Sequence, residues 1–255
     1  MIRSALVVAS ALLVAFIVMP LAGLAFHLTP VEFVRAVREP AALQALGLSV
    51  VTTLVALALT VALGTPLAYM LARYTFPGHL LLDAVVDLPI VVPPAVAGLA
   101  LLLVFGRYGT LGAALARAGI RLSFTTAAVV MAQIFVASPF YVRAARSGFG
   151  AVDRTLEAAS ATLGMGPLRT FVFVTVPLAW PTLVGGAVLC WARALGEFGA
   201  TIMFAGNLAG VSQTLPLSVY LNLEGGNIPV ATALSVTMIA FSLATVLAVR
   251  TLERR

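Results

Sequence analysis

Lysine is absent from this 255-residue sequence, which also has one cysteine and two histidines. A phosphate-binding loop of the G-x-x-x-x-G-K-[ST] type requires a lysine, so hydrolysis of ATP by that route is excluded. The single Cys190 excludes an internal disulfide and a CxxC site, and we interpret it as a packing residue in an apolar helix. His27 and His79 are too isolated for a zinc site and are expected at the ends of membrane spans. With no catalytic cluster in the sequence, we expect no enzymatic activity, metal or cofactor in this chain.

Charged residues are scarce as well. They make up 9% of the chain, against about 25% in a soluble domain, and 62% of the residues are hydrophobic. This composition cannot give one water-facing surface around one core, so the sequence predicts an integral membrane protein. A membrane-spanning helix needs about 20 apolar residues. Uncharged runs predict a single all-α membrane domain with six spans, at about residues 4–28, 43–72, 86–106, 122–146, 178–205 and 228–250.

Two segments allow another interpretation. The first follows Arg3 and resembles a secretion signal, but its uncharged stretch is longer than the roughly 15 apolar residues of a signal peptide. No A-x-A cleavage site follows it, so we interpret it as the first span. The uncharged run from Phe198 to Leu223 is either a seventh span or the outer end of the fifth span followed by a loop.

The distribution of arginine predicts the orientation, because loops on the cytoplasmic side are enriched in basic residues. With six spans and both termini in the cytoplasm, most of the 15 arginines lie inside and Arg193 lies within the fifth span. A seventh span would move Arg250, Arg254 and Arg255 outside, so the rule favours six. The outside set is Arg35, Arg38, Arg107, Arg117 and Arg121. Arg107, Arg117 and Arg121 have two interpretations. They attract an anion or the acidic surface of a partner, or they extend to lipid headgroups.

The loop 147–177, predicted to be cytoplasmic, has the pattern of a helix-turn-helix. Its apolar positions recur at helical spacing at Val152, Leu156, Ala159 and Leu163. The opposite face carries Asp153, Arg154 and Glu157. Gly164 suits a left-handed cap after the first helix, and Pro167 suits the first position of a second helix. An ordinary interfacial helix lying on the membrane is the alternative interpretation.

A family resemblance is carried by Leu156-Glu157-Ala158-Ala159, Thr162-Leu163-Gly164, Phe171, Val174, Val176-Pro177-Leu178 and Pro181. This segment resembles the EAA loop of ATP-binding-cassette importer permeases. The resemblance implies a type I importer permease fold whose coupling helix docks on an ATP-binding subunit. The coupling residues that it implies are Val152, Leu156, Glu157, Ala158, Ala159, Leu163 and Gly164. Glu157 lies one residue further from Gly164 than in the usual pattern, and Ala158 takes the expected place, which leaves the role of Glu157 open.

Two further segments, 88–98 and 193–201, are similar to the molybdate, tungstate and sulfate branch of these permeases. The runs 205–207 and 213–221 look more like the molybdate and tungstate members than the sulfate members. The resemblance implies import of a tetrahedral oxyanion, molybdate or tungstate, with a sulfate or thiosulfate permease as the alternative. The candidate pathway or gate residues are Pro93, Pro94, Arg193, Glu197, Thr201 and Asn207.

Some of these residues also have a direct physical interpretation. Prolines at the start of the third span leave backbone carbonyls that lipid cannot satisfy, so that end either faces protein or a watery cavity, or is a simple kink. Arg193 and Glu197 are four residues apart and share one helical face near mid-membrane. Such charges either form a buried structural pair or take part in gating.

The resemblance also implies partners and a location. It implies a homodimer in the inner membrane lipid, two ATP-binding cassette subunits that hold ATP and magnesium, and a periplasmic or lipid-anchored oxyanion-binding protein. No internal repeat supplies both halves of a transporter from one chain, which favours the homodimer over an ion-coupled secondary transporter, the alternative class. We expect no nucleic-acid partner.

Overall fold

The computed structural model describes residues 2–26 and 28–253, and every regular element in these two ranges is helical. The helices are α1 Ile2–Phe26, α2 Pro30–Val37, α3 Pro40–Arg73, α4 His79–Val91, α5 Pro94–Phe105, α6 Gly112–Arg117, α7 Thr126–Ala151, α8 Arg154–Thr162, α9 Pro167–Thr170, α10 Val176–Leu195, α11 Gly199–Phe204, α12 Leu215–Glu224 and α13 Ile228–Glu253. A π-helical turn, Phe171–Thr175, joins α9 to α10. The prediction of an all-α fold is confirmed.

Within residues 2–26 and 28–253, four helices are long and apolar enough to cross a membrane. They are Leu6–Leu24 within α1, α3, α7, and the continuous stretch Pro167–Leu195 that includes the π-helical turn. A fifth span results if α4 and α5, which are bent by 115° relative to each other, cross together. The last helix, α13, has 26 residues and no charged residue between Ile228 and Val249, the range predicted as the sixth span. The count of six spans therefore stays a prediction, and His27, Arg254 and Arg255 lie outside the described residues.

The helices α3, α7 and α10 pack together as the centre of the fold. Small residues at their contacts, including Ala68, Ala137 and Ala145, are almost fully buried and allow close approach of the backbones. A Cβ atom on Gly186 of α10 would lie 2.5 Å from the Ala144 Cβ atom of α7, which leaves no room for a larger residue. Glycine on α10 therefore serves helix packing.

Two smaller clusters extend this centre. In the first, α5 and α11 pack on α7 around Ala97, Val129 and Phe204. In the second, α2, α12 and α13 meet the beginning of α3 around Leu215 and Leu234. The backbone N–H of Leu215 donates to the Ser49 hydroxyl at 2.6 Å, which fixes the start of α12 against α3.

The uncharged run 198–223 does not form one long helix. It contains α11, which has six residues, a loop with left-handed Gly206 and Gly210, and α12, which has ten residues. Neither helix approaches the roughly 20 residues that a span requires. This run is therefore the short helix after the end of α10, a loop and a second short helix, and it is not a single seventh span.

Candidate functional site

The helix-turn-helix of the predicted coupling loop is present in the structure. Asp153 precedes α8, and its carboxylate accepts a hydrogen bond from the backbone N–H of Thr155 at 2.8 Å. That hydrogen bond lowers the pKa of Asp153, so its negative charge is kept at the helix N-terminus, where it is favourable. Gly164 follows α8 with a φ of +82°, and Pro167 is the first residue of α9, so both predicted turn positions are confirmed.

The one buried residue of α8 is polar, and the larger apolar residues of this segment are exposed. Ser160 is 5% exposed, whereas Leu156 is 47% and Leu163 is 83% exposed, and Ala158, Ala159 and Gly164 are exposed beside them. We call Leu156, Ala159 and Leu163 the exposed apolar face of α8. Leu168 of the following helix is also exposed. This face is free of contacts that would bury it within the chain, as a docking surface requires.

Val152, one of the predicted coupling residues, does not lie on this face. It lies before the first residue of α8, is 7% exposed, and packs in the central core with Phe149 and Leu183. The helical spacing placed Val152 on the same face as Leu156, but α8 begins only after Asp153 and the chain changes direction there. Val152 therefore anchors the loop to its own chain.

Glu157 turns toward the interior, where it meets two other segments. The Arg73 Nη2 atom donates to Glu157 Oε1 at 2.9 Å and to the Val152 carbonyl at 3.0 Å. The hydroxyl of Thr175, on the π-helical turn, donates to the same Oε1 atom at 2.7 Å. The Arg73 side chain is 7% exposed and that of Glu157 is 18% exposed, so the pair is largely shielded from water.

Aromatic rings pack next to this polar contact. The Tyr69 ring centroid lies 4.8 Å from that of Phe171 and 5.5 Å from that of Phe149, and both contacts are edge-to-face. Ser160 and Thr170 share a hydrogen bond of 2.7 Å that ties α8 to α9. The ends of α3, α7 and the Pro167–Leu195 stretch are thereby held together around the base of the loop.

The predicted pathway residues lie on or near α5 and α11, two short helices that pack against each other. Pro93 is the N-cap of α5 and Pro94 its first residue, directly after the 115° bend. The beginning of α5 lies so close to α11 that a Cβ atom on Gly199 would be 2.8 Å from the Pro94 Cβ atom. A Cβ atom on Gly98 would be 2.6 Å from the Ala200 carbonyl oxygen. The prolines thus mark a sharp break that is packed against protein on one side, with both proline side chains exposed.

Arg193 and Glu197 form the ion pair expected from their spacing. The Arg193 Nη2 atom lies 2.8 Å from Glu197 Oε2, and the Glu197 side chain is 1% exposed. The other carboxylate oxygen accepts the backbone N–H of Ala200 at 2.7 Å, at the start of α11. Thr201, on the same short helix, is fully buried. Asn207, in the following loop, donates from Nδ2 to the Leu217 carbonyl at 3.4 Å. Glu197 and Thr201 therefore lie in the interior of the chain, next to and within α11.

Sequence reasoning missed the polar contacts between helices. Neither Arg73 nor Thr175 was among the predicted site residues, although both bind Glu157. Gln133 Nε2 donates to Thr52 Oγ1 at 3.2 Å, and Trp191 Nε1 donates to Thr53 Oγ1 at 3.0 Å, which links α7 and α10 to α3. A glutamine in an otherwise apolar span was the available signal.

Histidine, cysteine and acidic side chains form no group of three or more that could hold a metal within residues 2–26 and 28–253. His79 lies at the first position of α4, and its Nε2 atom is 2.9 Å from the Leu71 carbonyl oxygen. Cys190 is 1% exposed in the central core, which confirms it as a packing residue.

Comparisons with known proteins identify the family of the chain. The model of the family described as binding-protein-dependent transport system inner membrane component matches residues 64–255. The chain belongs to this family. A molybdenum transport system permease protein of Mycobacterium tuberculosis is 43% identical over 210 residues, which cover 82% of this chain and 79% of the relative. A sulfate transport system permease protein of Salmonella typhimurium is 34% identical over 242 residues, covering 94% and 87% of the two chains.

A solved structure has the same fold. A chain of a bacterial ABC transporter involved in the import of alginate superposes with a TM-score of 0.79 at 16% identity, covering 100% of this permease and 95% of that chain. The predicted class, an all-α importer permease of the inner membrane, is confirmed by the family match and this fold.

Proposed function

We propose that this permease is the membrane-spanning subunit of an ATP-driven importer of molybdate. The observation that carries the proposal is the 43% identity to a molybdenum permease along 82% of the chain. Tungstate is a tetrahedral dianion of nearly the same size, and we expect the same importer to carry it. A sulfate or thiosulfate importer is the second candidate, favoured by the 34% identity to a sulfate permease along 94% of the chain.

In this proposal two copies of the chain enclose the path and the hydrolysis of ATP takes place elsewhere. Two ATP-binding subunits would hold ATP and magnesium, and each would bind the exposed apolar face of one α8. A periplasmic or lipid-anchored binding protein would deliver the oxyanion. The exposure of Leu156 and Leu163 supports docking of a partner at α8, because large apolar side chains at a surface mark interaction sites. The chain itself needs no cofactor for this role.

The pathway residues take two roles in the proposal. The exposed Pro93 and Pro94, together with Asn207, face the path, and the carbonyls freed by the prolines offer polar atoms there. The buried Glu197 and Thr201 support α11 behind it, with Arg193 completing the ion pair.

The selectivity experiment uses membrane vesicles that carry the complete complex and labelled molybdate. We expect an equal concentration of unlabelled tungstate to reduce uptake by about half, and an equal concentration of sulfate to leave it unchanged. Inhibition by sulfate equal to that by tungstate would assign the complex to the sulfate branch.

The proposed orientation places both termini and α8 in the cytoplasm. Accessible tags inserted after Arg154 and after Arg255 test it, because an even number of spans requires both tags to react only from the cytoplasmic side. Labelling of the second tag from the periplasmic side would contradict six spans.

A further inference from the structure

The carboxylate of Glu157 points away from the face on which a partner is proposed to dock. With 3.6 residues per turn, Glu157 lies about 100° around α8 from Leu156, whereas Leu163 lies on nearly the same side as Leu156. Glu157 and Ser160 face the chain's own interior, and Leu156 and Leu163 are exposed. An acidic residue in a helix that docks on a partner would be expected to face that partner, but here the carboxylate is already occupied.

Two other segments converge on this one carboxylate. It accepts hydrogen bonds from Arg73, the last residue of α3, and from Thr175, the residue directly before α10. The Arg154 Nη2 atom of α8 in turn donates to the Arg73 carbonyl at 3.4 Å. Thr175 is completely buried, so its hydroxyl has its partner in Glu157 and not in water. Charge-assisted hydrogen bonds in such a shielded place are stronger than neutral ones.

We infer that Glu157 is a positioning residue that fastens α8 to the ends of α3 and α10 through Arg73 and Thr175, so that a displacement of α8 moves both spans. The inference rests on the proposed function, because it requires a partner that moves α8. The face bearing Leu156 receives the displacement, and the side bearing Glu157 passes it on. The edge-to-face contact of Tyr69 with Phe171 packs the receiving ends of the spans against each other.

Two other ion pairs near this end of the fold provide a comparison. Asp83 pairs with Arg146, and Asp87 lies 3.6 Å from Arg143, so both pairs join α4 to α7. The Arg143 side chain is 62% exposed and that of Asp87 is 37% exposed, and neither residue belongs to α8. An exposed pair of this kind contributes little, which makes Asp87→Asn the matched control.

The test compares variants in the complete complex, reconstituted in proteoliposomes with the ATP-binding subunit and the binding protein. Glu157→Gln removes one charge, and the double variant Arg73→Gln with Glu157→Gln removes both, so that no buried charge is left unpaired. Arg73→Lys keeps the charge at the end of α3. The measurements are the amount of ATP-binding subunit that co-purifies, molybdate taken up per ATP hydrolysed, and the stimulation of ATP hydrolysis by the binding protein.

We expect Glu157→Gln and the double variant to retain the ATP-binding subunit and to lower uptake per ATP at least about fivefold, the lower end of the usual range for coupling between sites. The uptake per ATP of Arg73→Lys and Asp87→Asn should remain within about twofold of the wild-type value. Arg73→Lys keeps the charge pair with Glu157, and Asp87→Asn removes only an exposed pair. If the double variant took up as much molybdate per ATP hydrolysed as the wild type, the inference would be overturned. Loss of the ATP-binding subunit from Glu157→Gln would also overturn it, because Glu157 would then contact the partner.

The stimulation of hydrolysis by the binding protein separates this inference from the choice of substrate. If the wild-type complex takes up no molybdate, the proposed substrate is wrong, but Glu157→Gln is still expected to weaken the stimulation. Stimulation equal to that of the wild type in Glu157→Gln and in the double variant would refute the positioning role whatever the substrate.

Discussion

Arg193 and Glu197 form an ion pair across the last turn of α10, with the Arg193 Nη2 atom 2.8 Å from Glu197 Oε2. Glu197 also accepts the backbone N–H of Ala200, so one carboxylate joins the end of α10 to the start of α11. The Glu197 side chain is 1% exposed and that of Arg193 is 28% exposed. The carboxylate therefore depends on this arginine for compensation of its charge.

This dependence predicts an order of stability. Arg193→Ala leaves the Glu197 carboxylate unpaired and should destabilise the permease by about 3 kcal/mol, the low end of the cost of breaking a buried pair. Adding Glu197→Gln removes the stranded charge but keeps an oxygen for the Ala200 N–H, so the double variant should be more stable than Arg193→Ala alone. Unfolding of each purified variant in detergent measures the order of their stabilities. Arg143→Ala, in the exposed pair with Asp87, should stay within about 1 kcal/mol of the wild type.

A second prediction concerns the turn after α8. Gly164 has a φ of +82°, and a Cβ atom there would meet nothing within 4 Å, so any effect of a larger residue comes from the backbone. Gly164→Val should shift the turn, because a left-handed conformation costs an L-residue about 1–2 kcal/mol and a β-branched residue more. We expect normal insertion but lower uptake per ATP or weaker retention of the ATP-binding subunit.

Gly166→Val is the matched control for this turn. Its position is equally open, with nothing within 4 Å of a Cβ atom, but its φ of −71° suits any residue. The control should behave as the wild type in uptake and co-purification. An equal defect in the two variants would show that bulk, and not the left-handed conformation, is responsible.

The exposed apolar face of α8 gives a third prediction. Leu156→Asp places a charge in the proposed contact and should weaken binding of the ATP-binding subunit at least about tenfold, or roughly 1.4 kcal/mol. Thr155→Asp, on the neighbouring exposed position, should have a much smaller effect. Co-purification and a binding titration measure how tightly each of the two variants binds the ATP-binding subunit. Unchanged affinity in Leu156→Asp would exclude this face as the docking surface.

The contact between α5 and α11 predicts the fourth result. A Cβ atom on Gly98 would lie 2.6 Å from the Ala200 carbonyl oxygen and 2.7 Å from the Met203 Cβ atom. Gly98→Ala should therefore force the helices apart and destabilise the protein by about 1–3 kcal/mol. Gly47→Ala in α3 meets nothing within 4 Å and should be neutral or stabilising by about 0.5–1 kcal/mol. Thermal unfolding of both variants in detergent checks the difference.

Features with a local cause were predictable from the sequence. The left-handed turn at Gly164 and the helix start at Pro167 follow from the chemistry of single residues, and the pair of Arg193 with Glu197 follows from helical spacing. Apolar and polar positions of α8 were also separable by their period, but the period does not tell which face is buried. That depends on partners elsewhere in the chain.

Features with a distant cause were not predictable. Arg73 and Glu157 are 84 residues apart, and no local pattern pairs them. The prolines around Pro93 indicated a break in the third span, but the 115° angle is set by packing of α5 on α11, which sequence spacing does not show. Helical spacing placed Val152 on the docking face for the same reason: it does not show the tertiary packing that buries Val152 in the core.

Accumulation of labelled molybdate in proteoliposomes is the most direct test of an ATP-driven molybdate permease. The complete complex, with ATP supplied on the side of the ATP-binding subunit and binding protein on the other, should concentrate molybdate inside the compartment that contains ATP. The permease reconstituted without the ATP-binding subunit should neither hydrolyse ATP nor accumulate the anion, because it has no lysine for a phosphate-binding loop. ATP-independent accumulation of molybdate by the permease alone would contradict this function.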